Sequence, residues 1–307
     1  MNAPLLPLPT PLRQGDRVRL VAASSALQNG EALTAGLELL RSWGLQIEGD
    51  PAALLQRRWG YLAGHDGERF ADLAPAAADS QEPPALLACV RGGWGAARLL
   101  ERRPPAEANW LLGFSDVTSL LWARWARGLS GGIHGPLLTT LAAEPDWSRE
   151  RLRALLFGAP VEPLPGERWR GGVAEGPLLV ANLTVATHLL GTPHLPNLDG
   201  AILVLEDVGE APYRLERMLT HWRLSGAFSR LAGLAFGSFL NCDDPDRADE
   251  PATHRFALEQ VLRERSLDLG LPLLAGLAVG HAPGNAALPI GAPARLDADR
   301  GVLELLG

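Results

Sequence analysis

The N-terminal half of this 307-residue chain predicts a doubly wound, parallel α/β sheet, and the remainder predicts a smaller, β-rich domain. Two observations point there. Apolar, strand-like runs alternate with helical patterns from Arg17 to the segment after Ser115, and such alternation builds a parallel sheet covered by helices. Past a stretch rich in Pro and Gly, about residues 157–172, the apolar runs become short and turn-bounded. The expected organisation is a first domain over residues 1–155, a linker over 156–172 and a second domain over 173–307.

The elements follow in order. Residues 17–23 (RVRLVAA) read as a buried strand that ends in Ser24 and Ser25. A helical pattern spans 31–43, with Gly44 where a helix closes through a left-handed residue. Residues 45–47 form a second strand and 66–78 a second helical pattern. The strand 86–90 enters Arg91-Gly92-Gly93-Trp94-Gly95, with a helix from about Ala96. Strand 110–114 and the helix after Ser115 complete the series. Ligands bind such sheets at the carboxyl ends of the strands, which places Ser24, the Gly92-Gly93 turn and Ser115 on one edge. In the second half the strand-like runs are 176–181, 201–205, 231–239, 275–279 and 294–306, with one clear helix over 213–226.

Composition narrows the function classes. A hydrophobic share of 47% supports a large core, and a formal net charge of −7 argues against a nucleic-acid partner, which needs a basic face. Cys89 and Cys242 cannot make a disulfide framework. The Pro/Leu-rich start, residues 1–11, lacks the basic end and apolar core of a secretory signal. No later run approaches the length of a membrane span, so a soluble, cytoplasmic protein without a membrane partner is expected.

Four features carry chemistry. The apolar run 109–114 stops at Ser115, and a helix begins at once. Ser and Asp are frequent helix caps, which is one reading. The other is a nucleophile whose Oγ leaves the sheet beside free helix-start N–H groups able to hold an oxyanion. The Gly92-Gly93 turn reads either as a tight turn or as a backbone cradle for an anion or carbonyl oxygen. It is not a dinucleotide fingerprint, because Gly93-x-Gly95-x-x-Arg98 puts arginine where close helix packing needs a small residue. The run 201–205 ends in Glu206 and Asp207, read as an ion pair with Arg214 or Arg217 or as a functional carboxylate. His281 likewise ends an apolar run inside a Gly/Pro loop; no second His or Cys stands at ligand spacing, so no metal or other cofactor is expected. Together Ser115, Glu206 and His281 fill the roles of nucleophile, base-orienter and base. Val117 stands where the Gly-x-Ser-x-Gly elbow of common lipases and esterases needs glycine.

The chain resembles the LD-carboxypeptidase family of serine peptidases, which includes muramoyl-tetrapeptide carboxypeptidases and microcin-immunity peptidases. The landmarks run in register along nearly the whole length: Val21-Ala22-Ala23-Ser24-Ser25, Tyr61-Leu62-Ala63-Gly64, Arg91-Gly92-Gly93-Trp94-Gly95, Gly113-Phe114-Ser115-Asp116, His134-Gly135-Pro136, Asn182-Leu183-Thr184, Leu205-Glu206-Asp207, Pro212-Tyr213-Arg214 and Gly280-His281. Ala23, Trp94 and Glu216 depart from the usual Pro, Tyr and Asp. The resemblance implies a Rossmann-like N-terminal domain, a homodimer, no metal, and a triad of Ser115, Glu206 and His281 shared between the domains. The implied activity is hydrolysis of the amide between an L-centre and a terminal D-amino acid, with a muropeptide as substrate. Backbone amides of Gly93 and Asp116 are the expected oxyanion donors. Arg91, Gly92 and Trp94 are the expected contacts for substrate and its terminal carboxylate. A microcin-immunity-type amidase would need an aromatic surface for a base, which Trp147 or Trp169 would supply. A non-catalytic muropeptide-binding protein would not require all three triad residues.

Overall fold

Two sheets organise the molecule, whose computed structural model describes residues 7–74, 83–105, 107, 109–243, 251 and 254–306. The first contains β1 (Arg17–Val21), β2 (Gln46–Glu48), β3 (Leu86–Cys89), β4 (Trp110–Gly113) and β5 (Gly132–His134), all parallel. The order across it is β5-β4-β3-β1-β2, so the winding reverses between β1 and β3. Such a switch point opens a crevice at the strand ends, and the Ser24-Ser25 and Gly92-Gly93 turns both emerge there. β3 and β4 are buried along their whole length, which explains their unbroken apolar sequences LLAC and WLLG. The connecting helices are α1 (Gly30–Ser42), α2 (Pro51–Gln56), α3 (Asp66–Ala71) and α4 (Thr118–Ala126), followed by α5 (Leu138–Leu141) and α6 (Asp146–Leu156).

The second sheet has a parallel centre and antiparallel margins. β8 (Val173–Asn182), β9 (Ile202–Val208), β10 (Gly233–Leu240) and β11 (Leu273–Ala275) run parallel. β6 (Leu164–Pro165), β14 (Val302–Leu305) and β13 (Pro293–Asp297) extend one side, and β7 (Glu167–Arg170) closes the other. Its helices are α7 (Leu183–Leu189), α8 (Pro212–Leu224) and α9 (Leu258–Ser266). One short strand of the second half, β12 (Leu288–Pro289), crosses over and pairs antiparallel with β5 of the first sheet.

Several expectations change. The presumed linker 156–172 holds β6 and β7, two margins of the second sheet; Pro165 is tolerated because an edge strand needs no donor on its free side. The run 294–306 is a hairpin of two strands, and 275–279 is strand only at its start, since Gly276 turns the chain at φ 68°. The helix from Ala96 is a 3-10 helix ending at Glu101. α3 stops at Ala71, and positions 75–78 of that expected helix lie outside the described residues. Among the described residues the second half carries three α-helices rather than one; α7 is only seven residues long, and α9 is too charged for its apolar stripe to stand out.

α4 is the piece that joins the two sheets. Residues Thr118 to Arg124 are all buried, as expected of a helix enclosed on every side. Trp122 is fully buried and donates from Nε1 to the Val180 carbonyl of β8 at 3.0 Å. Truncating such a residue to Ala costs about 3–5 kcal/mol. One apolar core runs through both halves, from Val21, Leu111 and Phe114 to Leu179, Val204 and Leu288.

Candidate active site

Ser115 leaves the end of β4 with φ 62°, a left-handed conformation uncommon for a residue with a side chain. That backbone costs about 1–3 kcal/mol, which neighbouring structure must offset. A 3-10 turn, Ser115–Val117, then leads into α4. The glycine turn lies directly against this corner. A Cβ on Gly92 would come within 2.9 Å of Ser115 Cβ and 3.1 Å of its Oγ, so only glycine lets the two segments meet. Gly93 has φ 108°, and its amide donates to no acceptor among the described residues. The Asp116 amide, next in the turn, likewise has no acceptor among the described residues, whereas the Val117 amide donates to the Phe114 carbonyl at 3.2 Å.

Two side chains brace the turn. The Ser25 N–H donates to the Gly92 carbonyl at 3.3 Å, and Ser25 Oγ accepts from the Trp94 amide at 3.0 Å. Asp116 Oδ2 accepts the Ala96 amide at 2.7 Å, linking the residue after Ser115 to the end of the glycine turn. Burial pushes the Asp116 carboxyl above its usual range, against the pull of the Ala96 and Gly95 amides. Sequence reasoning had used only the Asp116 backbone; a carboxylate at a buried strand end was the signal for its second task.

Glu206 and His281 meet from opposite ends of the second half. Glu206 lies near the end of β9, fully buried, and its Oε2 is 2.7 Å from His281 Nδ1. Burial pushes the Glu206 carboxyl up, and the imidazole beside it pulls it down. Among the described residues the expected ion pair with Arg214 or Arg217 is not formed; Arg214 faces Glu210 at 3.4 Å, and the Arg217 guanidinium lies over the Tyr213 ring. Gly280 permits the approach: it has φ 117°, and a Cβ there would lie 2.5 Å from Glu206 Oε2. The adjacent Asp207 accepts Asn182 Nδ2, the Thr184 amide and Thr184 Oγ1, each at 2.9 Å, which pins the start of α7.

The two halves join at Phe114. Its ring lies 4.7 Å, centroid to centroid, from the His281 imidazole, so His281 rests on the residue that precedes Ser115. Ser115 Oγ is only half-buried and makes no hydrogen bond among the described residues. The same junction is held by Thr118 Oγ1, which accepts the Asn182 amide at 3.2 Å.

Glu144 was not foreseen. Its Oε2 accepts the Gly284 and Asn285 amides at 2.7 and 3.0 Å, fixing the loop that carries His281 from the other half of the chain. Asn285 Oδ1 in turn accepts the Gly280 amide at 2.9 Å. Partners 140 and 141 positions apart leave no local signal. Glu144→Ala should lower kcat about 10²-fold, the scale of a displacement of about 1 Å in a reacting group. Steady-state kinetics beside a thermal melt would check this; an unchanged kcat would show that the loop holds its place without Glu144.

The remaining expected contacts are placed as follows. Arg91 Nη1 donates to the Ala26 carbonyl at 3.0 Å and so braces the switch-point turn. Trp94 is 55% exposed at the rim. Trp147 packs against Gly284 beside the His281 loop. Trp169 is engaged elsewhere, between Phe236 and the Arg263 guanidinium 4.1 Å from its ring, because β7 turns it toward the sheet. Among the described residues no group of three or more His, Cys, Asp or Glu could hold a metal ion, and no helix is long and apolar enough to cross a membrane.

His134, at the end of β5, is fully buried, and burial pushes its imidazole down to about 3. The sign for stability follows. Between that value and the usual 6.5 the unfolded chain binds a proton that the folded chain refuses. Stability from this group is therefore complete above the usual value and is lost on acidification, by up to about 1.4 kcal/mol per pH unit. The raised carboxyls of Asp116, Glu144 and Glu206 act with the opposite sign. The informative comparison is thus between variants: urea midpoints of wild type should fall more steeply than those of His134→Leu from about pH 7 to pH 5. Parallel curves would contradict it.

The architecture is a parallel α/β sheet docked on a second, sheet-rich half, with Ser115 at a strand end of the first and the Glu206–His281 pair in the second. The chain belongs to the LD-carboxypeptidase family and is a peptidase. Residues 18–135 match the LD-carboxypeptidase N-terminal domain and residues 175–296 its C-terminal domain. A Synechocystis sp. protein named "Putative carboxypeptidase slr1534" is 46% identical over 301 residues, 97% of each chain. The murein tetrapeptide carboxypeptidase of Pseudomonas aeruginosa is 35% identical over 310 residues, covering 92% of this chain and 94% of that one. In fold, the chain is similar to MccF, the microcin C7 self-immunity protein, solved in complex with glutamyl sulfamoyl guanosine. The TM-score is 0.82 at 20% identity, over 99% of each chain.

Proposed function

We propose that the protein is a serine-type LD-carboxypeptidase that releases terminal D-alanine from murein tetrapeptide in cell-wall recycling. The observation that carries this reading is the Glu206–His281 pair, 2.7 Å apart, seated on Phe114 next to the left-handed Ser115. In this scheme His281 Nε2 takes the Ser115 proton as Oγ attacks the carbonyl carbon of the terminal amide. The tetrahedral oxyanion is held by the amides of Gly93 and Asp116. Collapse breaks the C–N bond, His281 returns the proton to the departing amine, and water then cleaves the acyl-enzyme by the same route. Glu206 fixes the imidazole tautomer and stabilises the imidazolium. Arg91 and the exposed face of the glycine turn are the groups we assign to the substrate carboxylate.

The relative named for murein tetrapeptide supports this substrate over others. The test is to incubate purified protein with murein tetrapeptide and to measure released D-alanine. Turnover only of an aminoacyl sulfamoyl nucleoside would favour the peptide–nucleotide amidase, with Trp147 as the base-stacking surface. Exhaustive chelation should leave the rate unchanged; loss that added zinc restores would defeat the metal-free scheme. A cytoplasmic homodimer completes the reading, and sedimentation of the purified chain tests the dimer.

A further inference from the structure

His134 opens the motif His134-Gly135-Pro136, and the scheme above gives it no task. It is fully buried, and neither ring nitrogen has a hydrogen-bond partner among the described residues. Across from it, Glu206 Oε1 is equally buried and equally without a partner. His134 Nε2 and that oxygen are 4.0 Å apart. Phe114 touches both imidazoles, with its centroid 5.6 Å from His134 and 4.7 Å from His281.

Burying an unpartnered polar group costs about 1–3 kcal/mol. Nothing in the packing of β5 requires histidine: its pairing with β4 and β12 is made by backbone, and an aliphatic side chain would fill the space without orphaned atoms. Two such groups facing each other at the end of a candidate catalytic carboxylate call for a functional account. A neutral imidazole also suits this place better than a charged one. It can donate one N–H to the carboxylate without adding a second cation to compete with His281 for it.

We infer that His134 is a positioning residue: its Nε2–H holds the free Oε1 of Glu206, so that Oε2 stays aimed at His281 Nδ1 during proton transfer. The gap of 4.0 Å is longer than a hydrogen bond. Catalytic hydrogen bonds are often long in the free enzyme and tighten when charge develops, here as His281 becomes imidazolium. The groups that face Glu206 are then His281 from its loop, His134 from β5, the Asn182 side chain at the end of β8 and Asp207 on its own strand. The inference rests on the serine-peptidase reading, and its test separates the two.

The variants are His134→Leu, which removes the N–H, and His134→Gln, which offers an amide N–H near the position of Nε2. Two readouts apply to each, the rate at which a fluorophosphonate labels Ser115 and kcat and KM on murein tetrapeptide, and ¹⁵N spectra of His134 are recorded on the wild type. The Leu variant should lose about 10²-fold in labelling rate and kcat with KM unchanged, the scale of one lost preorganised donor. The Gln variant should recover about tenfold of that loss, and the wild-type spectrum should show the Nε2–H tautomer. Leu kinetics within about threefold of wild type, or Gln no better than Leu, would overturn the inference. So would an Nδ1–H tautomer, a result that stands even if the Leu variant does not fold. Labelling without tetrapeptide turnover would sink the substrate reading while still reporting on His134. A wild-type Ser115 that is never labelled would overturn both.

Discussion

Ser115→Ala lowers the rate of hydrolysis by about 10⁴–10⁶-fold and leaves the fold in place, on the scale of triad knockouts. The two halves of that expectation have separate grounds. Chemically, the variant loses the hydroxyl proposed to attack from the β4 corner. Structurally, it loses almost nothing: alanine keeps the Cβ that already sits at φ 62°, so the backbone strain is unchanged. Ser115 Oγ also makes no hydrogen bond among the described residues, so its removal leaves no partner stranded. Stability should stay within about 0.5 kcal/mol of wild type, the usual range where no named interaction is lost. Substrate should still bind. A variant that kept more than about a tenth of wild-type activity would exclude Ser115 as the nucleophile, given that scale.

Residues 1–155 expressed alone should hydrolyse nothing, the second large effect. Glu206 and His281 lie beyond the cut, as does β12, which pairs with β5 next to His134. The cut also strips the cover from α4, whose Trp122 hydrogen-bonds to β8, and opens the core shared by Phe114, Leu111 and Leu179. The fragment should therefore expose a broad apolar face and bind a hydrophobic dye as well as being inactive. Cleavage of an LD-tetrapeptide by the fragment near the wild-type rate would make Glu206 and His281 bystanders and would end the shared-site reading.

Much of this was legible in the chain. Strands covered on both faces announce themselves as unbroken apolar runs, as β3 and β4 do. Polar residues that end such runs mark the functional edge, which brought Ser115, Glu206 and His281 forward before any contact was known. Elements that bury little apolar surface were less visible. β6 and β7 sit at sheet margins in Pro/Gly-rich sequence that also suits a linker, and α9 carries so many charges that its apolar stripe is thin.

The sequence by itself determined the alternation of strands and helices, the edge on which the chemistry gathers, and the residue types placed there. Those features depend on periodicity and burial, which act over a few neighbouring residues. Only the tertiary structure decided which of these residues meet. It set Glu206 against His281 rather than Arg214, seated His281 on Phe114, brought Glu144 to the His281 loop and faced His134 toward Glu206. These pairs join segments far apart in the chain, and for those that cross between the halves the distances follow from how α4 and β12 lock one sheet onto the other. No local pattern encodes that docking, because its energy lies in an apolar core to which both halves contribute.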